Sequence, residues 1–134
     1  MRLHDYLEYR TREAPDVVFA EFGDRSLTYR EANAAANRLA NALVASGLAV
    51  GDRFAVLSKN CIEYLLIYYG ASKAGVVPVP LNYRLAPPEW SYIVNDSEAR
   101  LLVARGEFVP AIAATSGYRP FTTFTNGASA NVSW

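Results

Sequence analysis

A single cysteine and a single histidine are the residues whose side chains could carry out nucleophilic or metal chemistry. Cys61 stands where a predicted strand passes into the start of a predicted helix, a position at which thiols become reactive and which faces the ligand crevice of open α/β sheets. His4 is far away along the chain, which disfavours a cysteine–histidine pair. Because free cysteines are so often buried, we predict a packed structural role for Cys61. No metal-ligand spacing is present.

Two glycines with the outer spacing of a phosphate-binding loop stand in the segment GASKAG, residues 70–75. Such a loop follows a strand, opens a helix and places its lysine after the second glycine, so that backbone N–H groups and the ammonium group meet phosphate. Here a predicted helix precedes the segment, a predicted strand follows it, and Lys73 lies between the two glycines. We therefore interpret Gly75 as the residue that ends a helix.

Two acidic residues and four tyrosines are the remaining candidates for a catalytic or ligand-binding role. Asp96 and Glu98 could form an acid and base pair, but they stand in a predicted turn, where such residues bond to nearby backbone. The tyrosines could line a cavity, although aromatic residues at helical or strand spacing more often belong to the core. We assign no catalytic, cofactor-binding or metal-ligating residue in this chain. The tyrosines are Tyr68, Tyr69, Tyr83 and Tyr92.

The composition of the chain limits the classes of binding partner and indicates a cellular compartment. The 134 residues include thirteen Lys plus Arg and thirteen Asp plus Glu, so the formal net charge is zero. That balance provides no basic surface for nucleic acid or anionic lipid. A lone cysteine predicts a reducing, cytoplasmic location. The longest apolar stretch is well short of the roughly 20 residues that span a bilayer, and no signal peptide is visible.

Apolar periodicity predicts helices and strands in alternation, which indicates an α/β fold with a largely parallel, layered sheet and flanking helices. Capping-box spacing marks two helix starts, at Thr28 with Glu31 and at Asn60 with Glu63. Two prolines in one strand favour a position at a sheet edge. The predicted helices cover residues 3–13, 29–46, 61–74 and 87–95, the strands cover 54–57, 76–81 and 101–104, and a hairpin covers 17–29.

The chain divides near Ala114. Residues 1–114 form the predicted α/β body, whereas residues 115–134 contain Arg119 as their only charged residue and show no sustained period. We expect the second segment to be an irregular tail.

Three stretches of the body resemble sequence motifs of the adenylate-forming, AMP-binding superfamily. Their residues are most similar to those of its fatty acid–CoA ligase branch. The resemblance extends over about residues 3–114 and implies part of the large amino-terminal domain of those enzymes. The stretches are LTYREAN followed by ANRLA at residues 27–40, NCIEY at 60–64 followed by YGASKAGVVPVPLNYRL at 69–85, and YIVNDSEA at 92–99, which follows Pro88 and Glu89.

The resemblance implies a two-step reaction for the full-length parent. A carboxylate attacks the α-phosphate of ATP to give an acyl-adenylate, and the thiol of coenzyme A then displaces AMP, with Mg²⁺ and a lysine stabilising charge. The family's phosphate loop, TSGTTGxPKG, has no counterpart here. Thr115 to Gly117 match three letters, but Tyr118, Arg119 and Pro120 follow them. No catalytic residue is carried over, and ATP, Mg²⁺ and coenzyme A are implied for the parent alone.

Two hypotheses follow. The first is an inactive amino-terminal fragment of an acyl-CoA synthetase, which was either made deliberately or arose from a truncated coding sequence or a reading-frame change near Ala114. The second is a small non-catalytic α/β module that binds a partner or self-associates through uncovered sheet surface. The acid remains open, and an aryl or short-chain acid is an alternative to a fatty acid.

Overall fold

Helices alternate with parallel strands along the chain, as the periodicity predicts. The computed structural model describes residues 1–118 and 122–126, which group into two units, one of residues 1–50 and 60–76 and the other of residues 51–59 with those from 77 onward. The elements are α1 Leu3–Glu13, β1 Val18–Phe22, β2 Arg25–Thr28, α2 Tyr29–Ala45, β3 Arg53–Leu57, α3 Ile62–Ala74, β4 Val77–Leu81, α4 Pro87–Asp96, β5 Leu101–Arg105, α5 Val109–Ala114 and β6 Thr122–Asn126, with a 3₁₀ turn at Gly106–Phe108.

The second unit is built on a parallel sheet with strand order β4-β3-β5-β6. The central strand β3 carries four consecutive buried apolar residues, Phe54 to Leu57, which is the pattern of a strand covered on both faces. Trp90 and Val94 of α4 pack with sheet residues in one hydrophobic core. The predicted α/β class and parallel sheet are confirmed. The sheet residues of that core are Ala55, Leu57, Leu81, Leu102 and Ala104.

The first unit consists of the β1–β2 hairpin and the helices α1, α2 and α3. Leu7, Ala36 and Leu66, one from each helix, are buried together. Small residues let these helices approach closely, because a Cβ atom on Gly70 would lie 2.9 Å from a side-chain carbon of Leu39. The first glycine of the GASKAG segment is therefore a packing residue between α2 and α3.

One predicted helix start is confirmed and the other is wrong. At α2 the Thr28 hydroxyl accepts from the Glu31 N–H at 3.3 Å, and the Glu31 carboxylate accepts from the Thr28 N–H at 2.8 Å. At α3 the N-cap is Cys61 rather than Asn60, because the backbone of Cys61 is still extended at φ −160° and ψ 167°. This start places Glu63 at the second helical position, where it pairs with Arg25 instead of closing a capping box.

The segment beyond Ala114 contains a strand, which differs from the irregular tail expected there. β6 lies parallel to β5 in register from Leu101↔Thr122 to Arg105↔Asn126. Three threonines give the segment TTFTN the β-branched composition of a strand, but it lacks the apolar alternation that would have revealed it. Residues 119–121 and 127–134, including Arg119, lie outside the described residues.

Candidate functional site

The loops after β3, β4 and β5 meet at the carboxyl edge of the parallel sheet. Open α/β sheets bind their ligands at this edge, in the crevice outside the carboxyl ends of the strands. In this chain the three loops carry two cations, one carboxylate and two aromatic rings in mutual contact. These residues are Lys59, Tyr83, Arg84, Glu107 and Phe108, and we refer to them as the carboxyl-edge cluster.

Lys59 lies at the centre of this cluster. Its Nζ atom donates to the Glu107 carboxylate at 2.8 Å and lies 5.9 Å from the ring centroid of Tyr83 and 6.0 Å from that of Phe108. The hydrogen bond from Lys59 is the main reason why the pKa of Glu107 is held below its ordinary value. Both side chains remain substantially exposed, so the ammonium group can be reached by a ligand.

The turn after β4 positions the cluster residues Tyr83 and Arg84. The Asn82 carbonyl accepts from the Trp90 indole N–H at 2.9 Å, and the Asn82 side chain accepts from the Arg84 N–H at 3.0 Å. These bonds hold Tyr83 against Phe108 and place the Arg84 guanidinium 5.7 Å from the Tyr83 ring centroid. The Tyr83 hydroxyl accepts from Arg84, which raises the pKa of that arginine. Arg84 is exposed and keeps its remaining donors for a ligand.

The charges at this edge favour an anionic ligand. Lys59, Arg84 and Arg105 are the cations here, and the first and third of them share the carboxylate of Glu107. Lysine and arginine are the side chains that bind phosphate and carboxylate groups best. In the described part of the chain, no group of three His, Cys, Asp or Glu side chains could hold a metal ion. The cluster can therefore bind and orient an anion.

A second, polar cavity lies in the first unit. It has a volume of about 360 Å³ and lies between helices α1, α2 and α3. Lys73, whose side chain is only 9% exposed, donates to the Glu8 carboxylate and thereby holds the pKa of Glu8 below its ordinary value. A 2.8 Å hydrogen bond joins His4 Nδ1 and Ser72 Oγ. The lining residues are His4, Glu8, Asn37, Ala40, Asn41 and Lys73.

These contacts account for the glycine-rich segment. Lys73 takes part in an ion pair between two helices, and Gly75 ends α3 with φ 73°, so the predicted helix end is confirmed. No phosphate loop is formed by residues 70–75 because they continue α3 instead of preceding it.

Cys61 is partly buried as the N-cap of α3. Burial alone would raise the pKa of the neighbouring Glu63, but hydrogen bonds, chiefly from Arg25, lower it, and the Cys61 side chain contributes to this effect. Arg25 Nη1 lies 2.5 Å from the Glu63 carboxylate. These contacts are consistent with a structural cysteine. That this chain contains no catalytic residue stays a prediction.

The remaining candidates have structural surroundings. Asp96 ends α4, while Glu98 adopts φ 54° and accepts from Arg53 at 2.9 Å. Tyr92 is 69% exposed, and Tyr68 stacks on Tyr64, so neither lines the polar cavity. Of the four tyrosines, Tyr83 alone belongs to the carboxyl-edge cluster.

Sequence reasoning missed the other members of the cluster. Lys59 and Glu107 are 48 positions apart, and neither stands in a motif. One signal was available, because Lys59, Arg84 and Glu107 each follow a predicted strand within three residues. The carboxyl ends of parallel strands lie at one edge of a sheet, which would have brought these residues together.

No helix in the described ranges is both long enough and apolar enough to cross a bilayer.

Comparison with known proteins places these features in a family. The profile described as "AMP-binding enzyme" matches residues 7–127. The long-chain-fatty-acid–CoA ligase FadD13 of Mycobacterium tuberculosis is 45% identical over 91 residues, which are 68% of this chain and 18% of the relative. The fatty acid–[acyl-carrier-protein] ligase ScoC of Streptomyces coeruleorubidus is 44% identical over 105 residues, which are 78% of this chain and 20% of the relative.

A solved structure confirms the fold. The crystal structure of the N-terminal domain of FACL13 from Mycobacterium tuberculosis superimposes with a TM-score of 0.83 at 34% identity, over 93% of this chain and 34% of that one. The matched residues span about a fifth of the length of these two curated relatives. The resemblance stated from the motifs is confirmed: the chain belongs to the family of AMP-binding enzymes and corresponds to an amino-terminal portion of them.

Proposed function

We propose that this chain is the amino-terminal portion of an ATP-dependent ligase that activates a fatty acid as its acyl-adenylate and transfers the acyl group to coenzyme A. The family match over residues 7–127 carries this proposal. The choice of a fatty acid is supported by two relatives, 45% and 44% identical, whose names both specify that substrate. An aryl or short-chain acid is the alternative that an assay must separate.

The carboxyl-edge cluster suggests what this portion contributes. ATP and coenzyme A are both polyanions, and exposed cations such as Lys59 and Arg84 would attract and orient their phosphate groups. Mg²⁺ would accompany ATP, and the described residues contain no group of three or more His, Cys, Asp or Glu side chains that could hold the ion by themselves. We therefore assign to this portion the positioning of substrate, and no bond-breaking step.

We infer that the chain by itself does not form an acyl-adenylate. The 134 residues contain no TSGTTGxPKG sequence, and Thr115 to Gly117 match only its first three letters. Charge developing on the transferred group in the transition state would lack the donors that a phosphate loop supplies. Pyrophosphate release by the purified chain with ATP, Mg²⁺ and a fatty acid would contradict this inference.

A chimera tests the function of the whole enzyme. Residues 7–127 would replace the matching segment of the Mycobacterium tuberculosis fatty acid–CoA ligase, and pyrophosphate release and acyl-CoA formation would be measured with a long-chain fatty acid and with benzoate. We expect the fatty acid to be activated and benzoate to be rejected. A chimera that folds but activates neither acid contradicts the proposal, and preference for benzoate supports the aryl alternative.

Two variants of the chimera test the role of the edge. Arg84→Gln is expected to raise the KM of an anionic substrate several-fold with little change in kcat, because it removes binding energy that ground state and transition state share. Arg100→Gln is the matched control. That arginine is also exposed and pairs with Asp52 at 2.9 Å, but both residues precede their strands and therefore lie at the opposite, amino edge. Equal effects of the two substitutions would exclude a specific role for the carboxyl edge.

The cytoplasm is our proposed location. The argument is the lone cysteine, Cys61, which fits a reducing compartment. Fractionation of the native host with an antibody against the chain would test it.

A further inference from the structure

Strand β4 forms one edge of the four-stranded sheet. Its apolar, uncharged composition would favour pairing with a strand of another molecule. Its sequence, VPVPL at residues 77–81, is apolar throughout and carries no charge. Val77 is 47% exposed, and Val79 is partly so. Uncharged, apolar edge strands of high β-propensity are templates for edge-to-edge association when they lack proline.

The hydrogen bonds of β4 show which way its N–H groups point. The N–H of Val77 donates to the carbonyl of Asp52, immediately before β3, at 2.8 Å. From there β4 stays in unbroken parallel register with β3, from Arg53↔Val77 to Leu57↔Leu81. Because successive N–H groups in a strand point to opposite sides, those of residues 77, 79 and 81 face β3. Positions 78 and 80 therefore face away from the sheet.

Both outward positions are proline. Pro78 and Pro80 have no N–H, so the outer edge of β4 offers carbonyl acceptors but no donor over residues 77–81. An incoming strand would leave its own facing carbonyls without partners, and a buried polar group without a hydrogen bond is destabilising. The opposite edge strand, β6, has the sequence TTFTN and contains no proline.

We propose that Pro78 and Pro80 close this edge of the sheet to strand addition, and that they prevent a second copy of the chain from pairing through β4. The proposal does not depend on the enzymatic function. The sequence analysis expected self-association through uncovered sheet surface. The proposal limits where this can occur, because it excludes β4, one of the two edge strands of the four-stranded sheet in the described residues.

The double substitution Pro78→Ala/Pro80→Ala tests the proposal, because it restores two outward donors while adding no apolar surface. Sedimentation velocity over a tenfold range of concentration should show the variant shifting towards a dimer relative to the parent chain. Hydrogen exchange in residues 77–81, followed by mass spectrometry, should slow as concentration rises. Pro87→Ala/Pro88→Ala is the matched control, because it restores two N–H groups at the start of α4 and should sediment like the parent.

Two results would overturn the proposal. The first is a folded double variant that sediments like the parent at every concentration. The second is association that persists when Val77→Lys is added, since a lysine on the exposed edge strand should block strand pairing and restore the behaviour of the parent. Should the double variant fail to fold, Pro80→Ala alone restores one donor at an exposed position, and unchanged sedimentation of that variant would also overturn the proposal.

Discussion

Two lysine–glutamate pairs, one in each unit of the chain, have the same chemistry in different surroundings. In the carboxyl-edge cluster, the side chains of Lys59 and Glu107 are 47% and 39% exposed. In the polar cavity, the side chain of Lys73 is 9% exposed, while that of Glu8 is 40% exposed. In both pairs the lysine donates to the carboxylate and lowers its pKa. The cation of the second pair, however, has much less access to water.

This difference in burial separates a binding role from a structural one. An exposed pair contributes little to stability, since water competes for both charges and salt screens them, so Lys59 can turn to an incoming anion at little cost. A nearly buried ammonium group depends on its partner, because no comparable hydration replaces it. Lys73 and Glu8 also join α3 to α1, whereas Lys59 and Glu107 join two loops.

The largest expected effect on stability comes from breaking the pair of Lys73 and Glu8, whose ammonium group is nearly buried. Glu8→Gln should lower the free energy of unfolding by about 2 kcal/mol, because it leaves the ammonium group of Lys73 without its counter-charge. This is less than the roughly 3–5 kcal/mol expected for a fully buried pair, since the cavity admits solvent to Glu8. Urea denaturation at pH 7, followed by circular dichroism, measures the change.

Glu107→Gln is the matched substitution at the exposed pair. We expect the free energy of unfolding to fall by no more than about 0.5 kcal/mol at low salt, because both partners are hydrated after the substitution. A loss of stability equal to that of Glu8→Gln would contradict the distinction between the two pairs.

Lowering the pH should have an intermediate effect on the stability that the pair of Lys73 and Glu8 provides. The pKa of Glu8 in the folded chain is lowered from its ordinary value of 4.5 by Lys73, so the folded state favours the ionised carboxylate. This stabilisation is fully present above the unfolded pKa and is lost as pH falls through the folded pKa. The stability difference between the parent and Lys73→Met should therefore be constant near pH 7 and shrink below about pH 4.5.

Urea denaturation of both proteins between pH 3 and pH 7 checks this prediction. A difference that stays constant over the whole range would mean that Lys73 stabilises the chain by packing of its stem and not through Glu8.

Local sequence signals predicted most of the fold. Thr28 and Glu31 fixed the start of α2, Gly75 fixed the end of α3, and the apolar run at Phe54 identified a strand covered on both faces. These features depend on neighbours within four or five residues. Asn60 was misleading because asparagine is a preferred N-cap residue, whereas the extended backbone of Cys61 places the helix start one residue later.

Contacts between distant residues were not predictable in the same way. The pairing of Lys59 with Glu107 depends on the register of β3 against β5, in which Leu57 lies opposite Ala104. β6 escaped notice because a strand at a sheet edge needs no apolar alternation when β5 supplies its hydrogen bonds. The carboxyl-edge cluster could therefore be predicted only by combining the predicted strand ends with the geometry of parallel sheets.

The smallest expected effect concerns salt. Raising NaCl from about 0.1 to 1 M shortens the Debye length from about 10 to 3 Å, which screens exposed charges far more than buried ones. Double-mutant cycles with Met for lysine and Gln for glutamate isolate the coupling within each pair. We expect the coupling between Lys59 and Glu107 to disappear at high salt and that between Lys73 and Glu8 to retain most of its value. Equal losses would show that solvent reaches both ammonium groups alike, and Lys59 would then have no advantage over Lys73 as a group that can exchange its carboxylate for a ligand.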